Sequence, residues 1–501
     1  MRRPPGALVA VLAVAGTAVG VTSAVLGPQR PAAPAAPAAA VVPVTDATLV
    51  CPDPSGVPGR QRTTVGAAAS PGVDAGTGGE SDGTVAGGVL GEPAADLLRG
   101  PGRAATRSFA GSAGPYVVTA TGPVAAGLEA VQLSRTDGGA ERGLAGARCV
   151  RPATRFAFVG VGTKVGEDPR LYLTNAGDVP ALVDLSLTGT AGPLPSTAGQ
   201  GLRVGAHQRV VLRLVGLVPD QAALAVTVTA RSGRIAAALR DTRRQGDRPG
   251  GVDWVPPAAA AARTLVLPGI DWHAGQQLLT IADPGPTAAA VRVQVVRGDG
   301  SFVPSGLDAV AVPAGRLRTV DLTEAVGGRG AAVRLVSDRP VRAGLTSTLA
   351  GAGDYADYAD TAFATATRPV SDVVVPLLPI DPRLHQVAGV QLVAAEGAAT
   401  VTVRPIGGGP ARPLTRSLAP GTMGLVDVAA DLRARGAVAL ELHVLPGSGP
   451  VHAAAYWYEQ GTRGPMLTVV ELASPARTLA VPALRPDQLA PYAGARDHSS
   501  S

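Results

Sequence analysis

Lysine and asparagine are almost missing from this chain of 501 residues: Lys164 and Asn175 are the single examples of each. A GC-rich codon usage leaves such a bias, so the many arginines carry no functional message by number alone. Aromatic residues reach only 3% and charged residues 16%, against 46% hydrophobic. That excludes a largely disordered polyelectrolyte. With so few rings, the cores have to be built from Val, Leu and Ala, whose small side chains suit thin β-layers. The 65 Gly and 45 Pro exclude long helices. A net charge of +6 over this length is weak, and no basic run is interleaved with aromatics, so no nucleic-acid partner is expected. Nor does any basic cluster in the sequence support attraction to an anionic envelope polymer.

What is present begins with MRRPPGALVAVLAVAGTAVGVTSAVLGPQR. Ala7 to Leu26 is an uncharged apolar run preceded by Arg2 and Arg3, long enough for a helix to cross a bilayer. The arginines would keep the start cytoplasmic and place the remainder outside. A cleaved signal peptide is the rival reading, because PAAPAAPAAA at residues 31–40 offers small-residue sites. Either way the bulk of the chain is expected to be exported, anchored to the cell membrane by the N-terminal helix or secreted if cleaved. The Pro/Ala stretch then acts as a stiff spacer. An oxidising compartment favours pairing Cys51 with Cys149, the only two cysteines. Two buried free thiols are the bland alternative, and two isolated Cys with no nearby His lack the ligand count of a metal site.

Six letters recur. PVAAGL at 123–128 returns as PVRAGL at 340–345, and in looser form at 234–239 and 450–455. The apolar second position falls at Val124, Ile235, Val341 and Val451, at intervals of 111, 106 and 110. A second landmark, a short apolar run ending in Pro, appears as TLVCP, ARCVRP, TLVLP, DVVVP and TLAVP, ending at Pro52, Pro152, Pro268, Pro376 and Pro482. A third aligns residues 202–214, 310–322 and 418–428, with Val204, Val312 and Leu418 in register. Markers that hold nearly one period are the signature of an internal repeat. Within residues 263–348 seven strand-like runs alternate with turns, the dimensions of an immunoglobulin-like β-sandwich. The recurring letters are expected to form the last strand of each unit. TLAVP near 482 opens a further copy that is never finished: it is either a strand closing an earlier sheet edge or a tail.

Candidate chemistry is sparse. Gly79-Glu80-Ser81-Asp82-Gly83 matches the nucleophile elbow G-x-S-x-G, but its Gly-rich flanks read as a loop with no following helix, and the match is read as accidental. His207, His273, His385, His443, His452 and His498 show no metal-ligand spacing, and the default reading for His207 and His452 is surface decoration. DYADYAD places Asp354, Asp357 and Asp360 at every third position with Tyr355 and Tyr358 between them. It could form a sugar-binding rim or calcium loop, but its preferred reading is an inter-domain loop. Tyr456-Trp457-Tyr458 would be a stacking platform if exposed, but is read as packing at a domain junction, since alternation along AAAYWYE turns at least one ring inward. Asp253-Trp254-Val255-Pro256-Pro257 reads as a connector.

Taken together, the N-terminal apolar segment, LVCP and RCVRP, LYLTNAGD (171–178), DWVPP followed by RTLVLPGI, and the PV-x-A-G-L repeats make the chain resemble the exported actinobacterial proteins grouped as domain-of-unknown-function family 5719. The resemblance spans about residues 45–475, departs from the family around DYADYADTAF, where a Trp is expected near the end, and implies an envelope protein. It brings no activity and no catalytic residues.

The expected fold is all-β, with tandem immunoglobulin-like β-sandwich repeats after an N-terminal transmembrane or signal helix. The segments are 1–27 anchor or signal, 28–44 spacer, 45–150 first repeat (disulfide-closed and Gly-rich), 151–245 second repeat, 246–262 Pro/Ala linker, 263–368 third repeat, 369–475 fourth repeat, and 476–501 strand and tail. The expected function is a non-enzymatic extracytoplasmic scaffold of the cell envelope with no catalytic residues, metal or cofactor, its partners being the membrane and envelope proteins or glycans. The alternative is a carbohydrate or envelope-polymer binder using Asp354, Tyr355, Asp357, Tyr358, Asp360, Tyr456, Trp457 and Tyr458 as a rim. A serine hydrolase built on Ser81 stands last.

Overall fold

The computed structural model describes residues 40–54, 61–70, 83–110, 114–270, 273, 275–353, 356–406, 412–436, 438–461 and 463–481. Among them the protein is all-β, with helix limited to single turns such as Thr323–Val326. No helix of the described residues is long and apolar enough to cross a membrane, and the expected anchor at 1–27 lies outside them.

Residues 42–479 form one compact unit, in which a single strand order is repeated four times. In the fourth repeat the strands are Asp372–Leu378, Gln386–Ala394, Ala399–Ile406, Leu414–Leu418, Thr422–Asp427, Val438–Val444, His452–Gly461 and Gly464–Glu471. The first, sixth, third and fourth make one antiparallel sheet, and the fifth, second, seventh and eighth make the other. The first repeat has the same order, from Asp46–Cys51 to Gly143–Arg148. So do the second, from Arg155–Val161 to Arg248–Val255, and the third, from Ala262–Ile270 to Ala359–Thr365, each with its fourth strand broken into two short pieces. The first strands begin at Asp46, Arg155, Ala262 and Asp372, spacings of 109, 107 and 110 residues. These are steadier than the Pro landmark, because ARCVRP lies at the end of the first repeat's eighth strand and not in a first strand. The order departs from the immunoglobulin pairing, where the first strand lies beside the second and the seventh beside the sixth. Here those two strands have exchanged sheets.

Val124, Ile235, Val341 and Val451 occupy equivalent places, each fully buried in the core of its own repeat at the corner where the chain passes from sixth to seventh strand. In the third repeat the corner is a bend inside one continuous strand, Ala331–Ala350; in the first it is a 3-10 turn, Gly122–Gly127. The recurring letters therefore open the seventh strand and do not form the last one, as expected from the sequence. An eighth strand follows in every repeat. In the second repeat this strand is Arg248–Val255, so about half of the expected linker at 246–262 is sheet, with Asp253 and Trp254 buried.

The repeats pack in a closed ring. The first strands of the second, third and fourth repeats each carry a register irregularity near the end, between Val159 and Val161, Leu267 and Ile270, and Val375 and Leu378, where the strand passes onto the second sheet of the next repeat in the ring. Pro268 and Pro376 sit within two of these irregularities, which is why an apolar run ending in Pro recurs. Thr346 Oγ1 of the third repeat donates to Gly160 O of the second at 3.1 Å. Gln391 of the fourth accepts from Gly269 N of the third at 2.5 Å. Closure comes where the fourth repeat's core takes in Val131, Leu133 and Leu144 of the first, and where Arg135 grips Glu459 through Nε and Nη2 at 2.6–2.9 Å. Covering the second, seventh and eighth strands on both faces explains their largely buried runs, while the fifth strands at the sheet edge stay more exposed. Third strands, with one face in solvent, alternate instead, as in Ala181–Gly189.

Candidate functional site: the four-strand junction and its axial cleft

The four eighth strands, Gly143–Arg148, Arg248–Val255, Ala359–Thr365 and Gly464–Glu471, meet at the centre of the ring. Backbones can approach this closely only where a side chain is missing. A Cβ on Gly143 would stand 2.7 Å from Asp360 Oδ1 and 3.1 Å from Val252 N. Buried backbone N–H groups turned toward a neighbouring repeat then need acceptors from outside their own sheet, and two carboxylates provide them. Asp360 accepts from one residue of each eighth strand: Leu467 N at 2.8 Å, Thr361 N at 3.0 Å, and Leu144 N and Val252 N at 3.4 Å. Asp253 Oδ1 accepts from Gly146 N at 3.0 Å, Trp254 N at 2.8 Å and Thr468 Oγ1 at 2.8 Å. Both are fully buried. Burial pushes the Asp360 carboxyl up to about 7 against the opposing pull of its N–H donors and the Arg142 guanidinium, and raises Asp253 well above the usual carboxylate range.

Arg142 is the largest fully buried side chain, donating to Pro465 O at 3.1 Å and to Gly464 O, with its guanidinium 5.3 Å from the centre of the Tyr358 ring. Nearby, Arg240 pairs with Glu141 at 3.0 Å, and Tyr172 and Trp254 meet edge to face at 5.3 Å. At the other end of the junction, the segments that follow all four eighth strands line one cleft of about 540 Å³. The Cys51–Cys149 disulfide, with both residues buried and Cα atoms 4.2 Å apart, ties the first repeat's first strand to the wall of that cleft.

The residues read as a rim differ in exposure. Asp360, Tyr456 and Trp457 are buried, Tyr358 and Tyr458 half-buried, and Asp357 is exposed and paired with Arg248 at 2.8 Å; Asp354 and Tyr355 lie outside the described residues. Alternation fails along AAAYWYE because both faces of that strand are covered. His452 corrects the surface reading: it is buried, its Nδ1 2.9 Å from Thr367 O, and burial lowers its pKa. His207 is exposed beside Asp178, His443 is 2.6 Å from Asp372, and His273 stacks on Tyr458 at 3.7 Å, while His498 lies outside the described residues. Ser81 does too, but the segment after it, Thr84–Val89, is a strand where a nucleophile elbow needs a helix. Among the described residues no group of three or more His, Cys, Asp or Glu could hold a metal ion.

Arg142, Glu459 and Asp253 escaped the sequence reading as site residues, since their partners are backbone atoms or side chains one to three repeats away. Asn175 did leave a trace, in LYLTNAGD. Its amide donates to Val179 O at 2.8 Å and accepts from Gly177 N at 2.9 Å, so this signature holds a turn and no ligand. No curated protein matches the chain. A family model described as a family of unknown function, DUF5719, matches residues 104–429, from the fifth strand of the first repeat to just beyond the fifth strand of the fourth, so the chain belongs to that family.

Proposed function

We propose that this protein is a non-enzymatic, extracytoplasmic component of the cell envelope that works as a structural or interaction scaffold. In this reading its body is a ring of four sandwiches derived from an immunoglobulin-like unit, held off the membrane by a helix at Ala7–Leu26 and a Pro/Ala spacer. The observation that carries it is the engagement of the central carboxylates: Asp253 and Asp360 are fully buried and accept hydrogen bonds from all four repeats, the role of a rigid joint. The disulfide suits an oxidising compartment. Fractionation of cells with protease shaving of the outer face, followed by crosslinking and pull-down from envelope extract, tests the reading. A membrane-held, externally accessible chain with a disulfide and reproducible envelope partners is expected; a reduced cytosolic chain would overturn it.

A carbohydrate or envelope-polymer binder is the second reading, favoured by the half-buried rings of Tyr358 and Tyr458. Retention on cell-wall polymer that drops in a Tyr458→Ala variant would support it, and unchanged retention would remove that site.

A further inference from the structure

The ring brings Arg368 to Arg148 and Arg151, which stand three positions apart in ARCVRP. Arg148 ends the first repeat's eighth strand, Arg151 stands in the connection that follows, and Arg368 lies between the third and fourth repeats; all three line the axial cleft. Arg148 is already engaged, its Nε and Nη2 donating to Glu129 at 2.8 and 2.6 Å. Arg151 is not. It makes no ion pair among the described residues, and its Nη2 is buried with no hydrogen-bond partner. Arg151 lines the cleft, and a guanidinium with no carboxylate partner keeps donors there for an anion. Burial lowers its pKa, with Glu129 opposing that and Arg148 adding to it. Arg368 is exposed and likewise free of any ion pair among the described residues. The one carboxylate lining the cleft is Glu471, which faces Arg148.

The rest of the lining is mixed: Pro257, Ala258 to Ala260 and the edge of Phe156 supply apolar surface beside the hydroxyls of Thr367 and Ser474. A cleft of about 540 Å³ falls within the usual range for a small-molecule site, and a guanidinium fork matches an oxyanion in two-point geometry.

We propose that the axial cleft binds a small amphipathic anion, with a phosphate or carboxylate head taken by Arg151 and Arg368 and an apolar portion against Phe156 and Pro257–Ala260. This goes beyond the scaffold reading and does not depend on it, since an empty cleft would leave the ring and its envelope role untouched.

Calorimetric titration of the full chain tests it with four probes: inorganic phosphate, hexyl phosphate, hexanoate and uncharged hexanol. Hexyl phosphate or hexanoate should bind at least tenfold tighter than inorganic phosphate, the stronger of the two identifying the head group, and hexanol should not bind. Arg151→Gln and Arg368→Gln should each weaken the better probe at least tenfold, with Arg339→Gln, at an exposed position elsewhere, leaving it unchanged. Because Arg368 is exposed, its variant keeps the fold intact even where Arg151→Gln does not. No binding of any anion at millimolar concentration, binding indifferent to Arg368→Gln, or binding of hexanol as tight as hexanoate would each overturn the proposal.

Discussion

Asp360 accepts its shortest hydrogen bond from a residue of another repeat: Leu467 N of the fourth lies 2.8 Å from Oδ2. The same carboxylate reaches the first and second repeats through Leu144 and Val252. Replacing it with Ala strands these N–H groups and leaves Arg142 without its nearby acid. Asp360→Ala should therefore cost about 1–3 kcal/mol, the penalty for leaving buried donors unsatisfied, read as a lower denaturation midpoint. Asp360→Asn, which keeps one acceptor oxygen, should fall between that variant and the parent. Asp357→Ala, three residues away and exposed, should change stability by less than about 0.5 kcal/mol; equal effects at 357 and 360 would refute the joint.

The pH dependence of stability follows from the same group. An ordinary aspartate titrates near 3.8, whereas Asp360 in the folded chain titrates at about 7, so the folded state holds this proton more tightly than the unfolded state. Its contribution is full below pH 4 and is lost as pH rises to 7, on the order of 4 kcal/mol across that window. Asp253 shifts in the same direction. Denaturation midpoints should be higher at pH 5 than at pH 8, and Asp360→Asn should flatten the slope. A midpoint that climbs steadily from pH 5 to 8 would contradict the assignment.

Reduction should act on one repeat first. Cys51 and Cys149 are separated by 98 positions, and in the chain-entropy model closing such a loop is worth about 4–5 kcal/mol. A Cys51→Ala, Cys149→Ala double variant should lose that order of stability. In hydrogen exchange, protection should fall first in Asp46–Cys51 and Tyr116–Thr121, which pair with each other.

Ring closure can be probed at one glycine. A Cβ on Gly66 would lie 2.6 Å from Leu377 Cβ and 2.9 Å from Pro376 O, so the first repeat meets the fourth with no room for a methyl group. Gly66→Ala should cost about 1–3 kcal/mol by overpacking. Faster amide exchange in Asp372–Leu378 and Gln61–Ala69 is expected, and a silent substitution would mean that the two repeats do not touch there.

Local pattern carried the strands whose two faces differ. All seven runs read within residues 263–348 are sheet, because alternation or β-branched content marks them, and the hairpin landmark at Val204, Val312 and Leu418 falls on buried positions in equivalent strands. The eighth strands were invisible for the opposite reason. RPGGVDWV and ADTAFAT carry Gly, Pro and Asp, which read as loop; each pairs with the seventh strand of its own repeat, while the eighth strands it packs against at the centre belong to other repeats. Asp360 looked like a rim acid for the same reason: a carboxylate satisfied by backbone N–H groups up to 216 residues away leaves no mark on its neighbours in sequence. Arg368 likewise joins Arg148 and Arg151 only after the ring has formed.

A stack of repeats that grows end to end can gain or lose a copy by duplication, each new unit resting on the last. Here the fourth unit rests on the first, so copy number is set by geometry. A fifth unit would have no surface left to cover, and a deletion would bare two. TLAVP, which begins like another copy, places the short strand Thr478–Val481 outside every sandwich.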